Sequence, residues 1–296
     1  MPVSRRIEST TSRTAEMTCL CRAASTLEKR PFFKSDDYIA PILLPRGIRF
    51  LLRIPMAWRL IDRLFVPEGI YEYVIARTKY IDEVLAGALD DGFGQVLVFG
   101  AGFDTRGLRF RGSMDKAEAF ELDSAVTQEA KIRQYRERGL AVPSNLHFIS
   151  IDFDKDSLAA KLEAAGFRRG RRSLFVLEGL LMYLQPESVH STLEVIREYA
   201  GSGSRLVFDY IYSSVLRGEA DRYGEKGIVQ TTSRADERWQ FGIESGQIGS
   251  FLAAHSMRVV DHKTPQELEK AYFTDSRGRC VGRINGTHCI VTAEVH

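Results

Sequence analysis

Val96-Leu97-Val98-Phe99-Gly100-Ala101-Gly102-Phe103-Asp104-Thr105-Arg106 is the stretch on which the reading of this chain turns. A short apolar run, Val96 to Phe99, reads as a strand. The glycines that follow, Gly100 and Gly102, allow a tight turn and a close approach of backbone to a ligand. A dinucleotide fingerprint requires a third glycine where Thr105 stands. Its absence argues against a pyrophosphate and permits a nucleoside. A strand-to-helix turn with no ligand is the alternative.

Working outward, six more short apolar runs follow: Ala117 to Leu122, Leu146 to Ile151, Leu174 to Leu177, Arg205 to Tyr210, Met257 to Val260 and Thr287 to Ala293. Helical segments lie between several of them. Val126 to Arg138 closes at Gly139, Pro186 to Ala200 opens on proline and closes at Gly201, and Gln247 to His255 is a third. This alternation predicts an α/β fold, a Rossmann-like parallel sheet with helices on both faces. The close spacing of the last two runs predicts an antiparallel edge. Before Gly94 helical spacing dominates, and Ile70, Val74, Ile81, Val84, Leu85 and Ala88 mark an amphipathic helix ending near Gly92. The expected organisation is a disordered tail (1–16), a helical cap (17–92) and a ligand-binding sheet domain (93–296) with an insertion at about 213–243.

Composition narrows the function classes. The 296 residues carry a formal charge of +2, so no domain-wide basic field exists and nucleic acid is not an expected partner. Cys19, Cys21, Cys280 and Cys289 form no Cys-x-x-Cys pair and have no clustered histidines, so no metal site is expected. Cys19 and Cys21 read as buried helix thiols rather than a redox pair. Few thiols suggest a reducing, cytoplasmic setting. No apolar stretch of signal-peptide type follows the N-terminus. The apolar segment Ile42 to Phe65 is interrupted by Arg46, Arg49, Arg53, Arg59 and Arg63, too many cations for a membrane span. It reads as a lid packing its apolar side on the main domain, with a membrane surface as the alternative.

In an open α/β sheet, ligands bind beyond the carboxyl ends of the strands. The second run ends in Glu121-Leu122-Asp123, about 20 residues past the glycine loop, where an acid accepts from ribose hydroxyls. Asp123 is the first choice and Glu121 the second, with helix capping as the competing role for Asp123. Asp152, before Phe153, could accept from an adenine amino group or cap a helix. Glu178 stands among apolar residues and needs a partner, either a cationic ligand group or an arginine such as Arg77.

The runs Val98-Phe99-Gly100-Ala101-Gly102-Phe103-Asp104-Thr105-Arg106, Phe120-Glu121-Leu122-Asp123 and Glu178-Gly179-Leu180-Leu181-Met182-Tyr183-Leu184 together resemble the leucine carboxyl methyltransferase family. That family includes phosphatase-directed and polyketide carboxyl methyltransferases. The resemblance extends in order from about Thr18 to Val295 and is most specific at the glycine run. It implies a class I methyltransferase sheet under a helical cap, with S-adenosylmethionine as cofactor. It also implies roles. Arg77 resembles the arginine that holds the cofactor's methionine carboxylate, and Gly100 and Gly102 the glycines beside that moiety. Asp123 matches the ribose-binding acid, Asp152 and Phe153 fall where adenine is read, and Glu178 matches the acid near the amino group. Arg22 corresponds to a basic cap residue that also meets the carboxylate. Residues Tyr212 to Phe241 depart from the phosphatase-directed enzymes, which puts a protein C-terminus in doubt as acceptor.

Methyl transfer from a sulfonium is an in-line displacement in which the protein supplies position and field. A carboxylate acceptor needs no general base, whereas a hydroxyl usually does. His190 and His255 read as surface or structural residues, so no base is evident and a small-molecule carboxylate acceptor is favoured. Candidate acceptor-binding residues are Tyr183, Tyr210, Tyr212, Arg222 and Trp239, with Tyr223, Phe241, Arg234 and Arg238 in the same region. The alternatives are a hydroxyl or nitrogen acceptor, a protein C-terminal carboxylate, and a cofactor-binding scaffold without turnover.

Overall fold

The computed structural model describes residues 12–54, 57–219, 221–234 and 238–296. All seven apolar runs are strands: β1 (Gln95–Phe99), β2 (Glu118–Asp123), β3 (Leu146–Ser150), β4 (Ser173–Leu177), β5 (Arg205–Ile211), β6 (Met257–Lys263) and β7 (His288–Val295). They form one sheet in the order β3-β2-β1-β4-β5-β7-β6. Strands β1 to β5 pair in parallel, and β7 runs antiparallel to both neighbours. The sheet therefore ends in an antiparallel pair made by its last two strands, as their spacing predicts. β7 inserts between β5 and β6, leaving β6 outermost. Every residue of β1 and β4 is buried, as expected for strands covered on both faces.

The side-chain period of two divides the core into two layers. Val96, Val98, Val176 and Val207 point to one face, where α5 (Ile70–Asp90) lies with α1 (Arg13–Leu27) and α2 (Ala40–Leu43) above it. Leu97, Phe99, Phe175, Leu177 and Phe208 point to the other. α8 (Leu158–Ala164), α9 (Pro186–Tyr199) and α12 (Ile248–Ala253) cover that face. The short α6 (Arg106–Arg109), with α7 (Ala125–Glu137) and α13 (Pro265–Tyr272), belongs to the first layer. The insertion holds α10 (Ser213–Leu216) and α11 (Glu225–Arg234), and a bridge between Tyr212 and Ile243 pinches it at its base.

The expected tail lies mostly outside the described residues, and Arg13 to Glu16 form the first turn of α1, which Ser12 caps. Cys19, Cys21 and Cys289 are buried and Cys280 exposed, all as free thiols. Burial pushes the Cys19 thiol up to about 11, which keeps it protonated and inert. The apolar segment Ile42 to Phe65 buries Leu43, Leu44, Leu52 and Trp58 in the core and packs Ile61 against it, but leaves other apolar side chains in water. α3 (Arg46–Leu51) has no buried residue, and α4 (Ala57–Phe65) buries only Trp58. Among the described residues no helix is long and apolar enough to cross a membrane.

Candidate active site

Strand order reverses between β1 and β4, and there the loops part around a cavity of about 450 Å³. Gly100 (φ +60) and Gly102 (φ +47) take left-handed conformations that other residues resist. A Cβ on Gly100 would come within 3.0 Å of Leu180 Cδ1. The turn aims the Gly102 N–H at the Asp123 carboxylate, whose other oxygen accepts from the Ser124 N–H at 2.6 Å. Asp123 thus caps no later turn of α7, for which Ser124 is the N-cap. Burial raises the Asp123 carboxyl pKa although both N–H groups pull it down. Each of its oxygens keeps a second lone pair toward the cavity it lines. Glu121 points elsewhere, to Lys131 Nζ at 2.5 Å.

Asp152 and Phe153 follow β3 on the same cavity wall. Asp152 Oδ1 accepts from the Asp154 N–H at 3.0 Å, which closes a local turn. Capping of α8 falls instead to Ser157. The Phe153 ring packs 6.1 Å from Phe99, and among the described residues the Phe153 N–H has no hydrogen-bond partner. A free backbone donor beside a carboxylate suits a purine edge.

Behind the loops runs an unbroken chain of ion pairs. Arg22 meets Asp37 at 2.8 Å, and Asp37 meets Arg109 at 3.4 Å. Arg109 meets Asp82 at 2.7 Å, and Asp82 meets Arg106 at 2.7 Å. Arg106 also holds Asp104 and, at 2.6 Å, Glu178. Glu178 continues to Arg77 at 3.0 Å, and Arg77 ends on Asp209 at 2.7 Å. Both Glu178 oxygens therefore face arginines, so the internal salt bridge weighed for it is present. The Asp104-Thr105-Arg106 run is explained here as well. Thr105 Oγ1 donates to Asp37 at 2.7 Å, and the run ties α1, α5 and β4 together. Burial pushes the Asp209 carboxyl up, but Arg77 and the Gly179 N–H outweigh it and hold it low. Four arginines face five carboxylates in this chain, an excess of one negative charge. Arg22, Arg77 and Glu178 line the cavity.

At the far end of the cavity stand Tyr183, Trp239 and His288. The Gln240 N–H donates to Met182 O at 2.7 Å and its side chain to Tyr183 O at 2.7 Å, which docks the end of the insertion on the loop after β4. The Trp239 ring then meets His288 edge-on at 5.3 Å, with Tyr73 at 4.5 Å on the same imidazole. Tyr210, Tyr212 and Arg222 do not join them. Alternation along β5 sends Asp209 toward Arg77 and Tyr210 into the opposite layer, where its hydroxyl meets His262 at 2.9 Å. Arg222 stacks on Tyr212 at 3.9 Å. Arg238 lines the cavity, and the Arg234 side chain lies outside the described residues. His190 and His255 pair with each other at 2.9 Å.

Sequence patterns single out neither His288, which lines the cavity, nor Asp209, which is fully buried behind Arg77. Thr287 Oγ1 donates its one proton to Asn285 Oδ1 at 2.5 Å, so at 2.7 Å it must accept from His288 Nδ1–H. That fixes the tautomer and leaves Nε2 as an acceptor with no partner among the described residues. Burial lowers the imidazole to about 4, against the pull of Asp209, so the ring is neutral near pH 7.

A Rossmann-like sheet with these loops on its carboxyl edge defines a class I methyltransferase. The sequence profile described as leucine carboxyl methyltransferase matches residues 15–197, and the chain belongs to that family. Family and fold together make it an S-adenosylmethionine-dependent methyltransferase. Two similar proteins carry the provisional name S-adenosyl-L-methionine-dependent methyltransferase. One, from Mycolicibacterium smegmatis, is 26% identical over 88% of this chain and 86% of its own. The other, from Bacillus subtilis, is 25% identical over 69% of this chain and 66% of its own. Among solved structures, magnesium protoporphyrin IX methyltransferase of Synechocystis PCC 6803 with bound S-adenosylhomocysteine is 12% identical. The match covers 81% of this chain and 93% of that one at a TM-score of 0.47.

Proposed function

We propose that the chain methylates oxygen on a small, flat, largely apolar acceptor, with a carboxylate favoured. The observation that carries this reading is the far end of the cavity. Tyr183, Trp239 and Met182 offer apolar surface there, and Arg238 is the cation available to an anionic acceptor. In this reading Asp123 holds the ribose hydroxyls, and Asp152 with the Phe153 N–H reads the adenine. Arg77 and Arg22 face the carboxylate of the methionine moiety, Glu178 favours its ammonium, and Gly100 and Gly102 let that moiety lie against the backbone. The bound cofactor supplies a methyl group already activated on sulfur. The chain's own work is to align acceptor and donor and to keep water out.

A hydroxyl acceptor is the second reading, favoured by one observation. His288 presents an unoccupied, neutral Nε2 at this end of the cavity, a group able to take a hydroxyl proton. Incubation with methyl-labelled cofactor and a panel of aromatic acids and phenols separates the two. A product that loses its label in mild alkali is an ester and supports the carboxylate. An alkali-stable product from a phenol supports the hydroxyl reading. Label in protein alone, or none at all despite tight cofactor binding, removes both.

A further inference from the structure

We propose that the outer face of α3 and α4 is a docking surface for an anionic lipid bilayer. Among the described residues thirteen large apolar side chains are exposed, and seven of them fall between positions 48 and 65. Phe50 (68%), Leu60 (60%), Leu64 (62%) and Phe65 (72%) are open to water, a concentration that isolated exposed side chains do not produce. On α4, Leu60 and Leu64 stand one turn apart and form an outward ridge. Arg59 and Arg63 form the adjoining stripe at the same spacing. Arg46, Arg49 and Arg53 carry the cationic border along α3 and just past it, and Asp62 is the sole acid between positions 46 and 65.

An apolar ridge flanked by arginines is the pattern of a helix that lies in a membrane interface, its stems buried and its guanidiniums at the phosphates. Charge decides between this occupant and a second copy of the chain. A symmetric pair would bring together two faces that each carry an excess of four positive charges, whereas an anionic leaflet complements them. A second cavity, of about 830 Å³, reaches this surface at Ile48, Leu64 and Phe65 and extends inward to Phe103 of the glycine loop. An apolar compound taken up from a bilayer would enter there, although the docking itself does not depend on which acceptor is methylated.

The test is co-sedimentation of the full chain with vesicles of phosphatidylcholine, with and without phosphatidylglycerol. Partition onto the anionic vesicles should be at least roughly tenfold stronger and should weaken in high salt. Leu60→Ser with Leu64→Ser, and separately Arg53→Glu with Arg63→Glu, should each remove that preference. All four side chains face solvent, so the thermal transition of both variants should match the parent. Equal partition onto neutral vesicles, or unaltered binding by the serine variant, overturns the proposal. So does a solution dimer that the serine variant dissolves, because it would assign the face to self-association.

Discussion

At the scale of single residues, Asp123 and His288 make the sharpest tests. Asp123→Ala removes the carboxylate that organises the Gly102 turn, and S-adenosylhomocysteine binding should weaken at least about tenfold, or 1.4 kcal/mol, by calorimetry. An unchanged dissociation constant would take Asp123 out of the site. His288→Asn should leave that constant unchanged. With a hydroxyl acceptor it should lower kcat by about 10² to 10⁴, and with a carboxylate acceptor by little. The depressed His288 pKa also carries a pH signature. The unfolded imidazole takes up its proton near 6.5 and the folded one only near about 4. Its contribution to stability is therefore complete above 6.5 and is lost as pH falls between those values, by at most about 3 kcal/mol. Urea midpoints across that window should fall more steeply for the parent than for His288→Phe. Asp123 is legible in the sequence because it ends an apolar run at a fixed distance from the glycine loop. His288 is not, because a histidine opening the last strand reaches the cavity only through the placement of β7, and no local pattern encodes that.

At the scale of elements, the strands were the most legible part of the chain. β1 and β4 are buried on both faces, and each announces itself as a short, almost uninterrupted apolar run. Alternation along β5 could have separated Asp209 from Tyr210, since neighbours on a strand face opposite ways. The pattern that makes α4 amphipathic says that its two faces differ but not which one meets water: Trp58 and Ile61 pack on the core, while Leu60 and Leu64 stand exposed. Side-chain caps are found at α1, α8 and α13. Thr264 and Glu267 form a reciprocal box at the start of α13, with the Glu267 N–H to Thr264 Oγ1 at 3.3 Å and the Thr264 N–H to Glu267 Oε2 at 2.8 Å. Thr264→Ala should cost about 1 kcal/mol in urea unfolding without altering cofactor affinity.

At the scale of the whole molecule, the ion-pair chain from Arg22 to Asp209 joins the N-terminal helices to the sheet. Arg106 is its branch point: in Arg106→Met, Asp82 keeps Arg109 and Glu178 keeps Arg77, but the buried Asp104 loses the one ion-pair partner it has among the described residues. The expected loss is about 3–5 kcal/mol of stability, read from denaturant unfolding, and saturating S-adenosylhomocysteine should recover part of it. The position of β7 has a different consequence. Among the described residues β6 has no neighbour in the sheet except β7, and β7 follows it in the chain. Until β7 has emerged from the ribosome, the parallel strands can assemble but β6 must wait, and the β5 edge stays open to other chains. Closure of the sheet thus waits on β7, and nascent chains stalled just before residue 288 should be far more protease-sensitive and chaperone-bound than chains in which β7 has emerged.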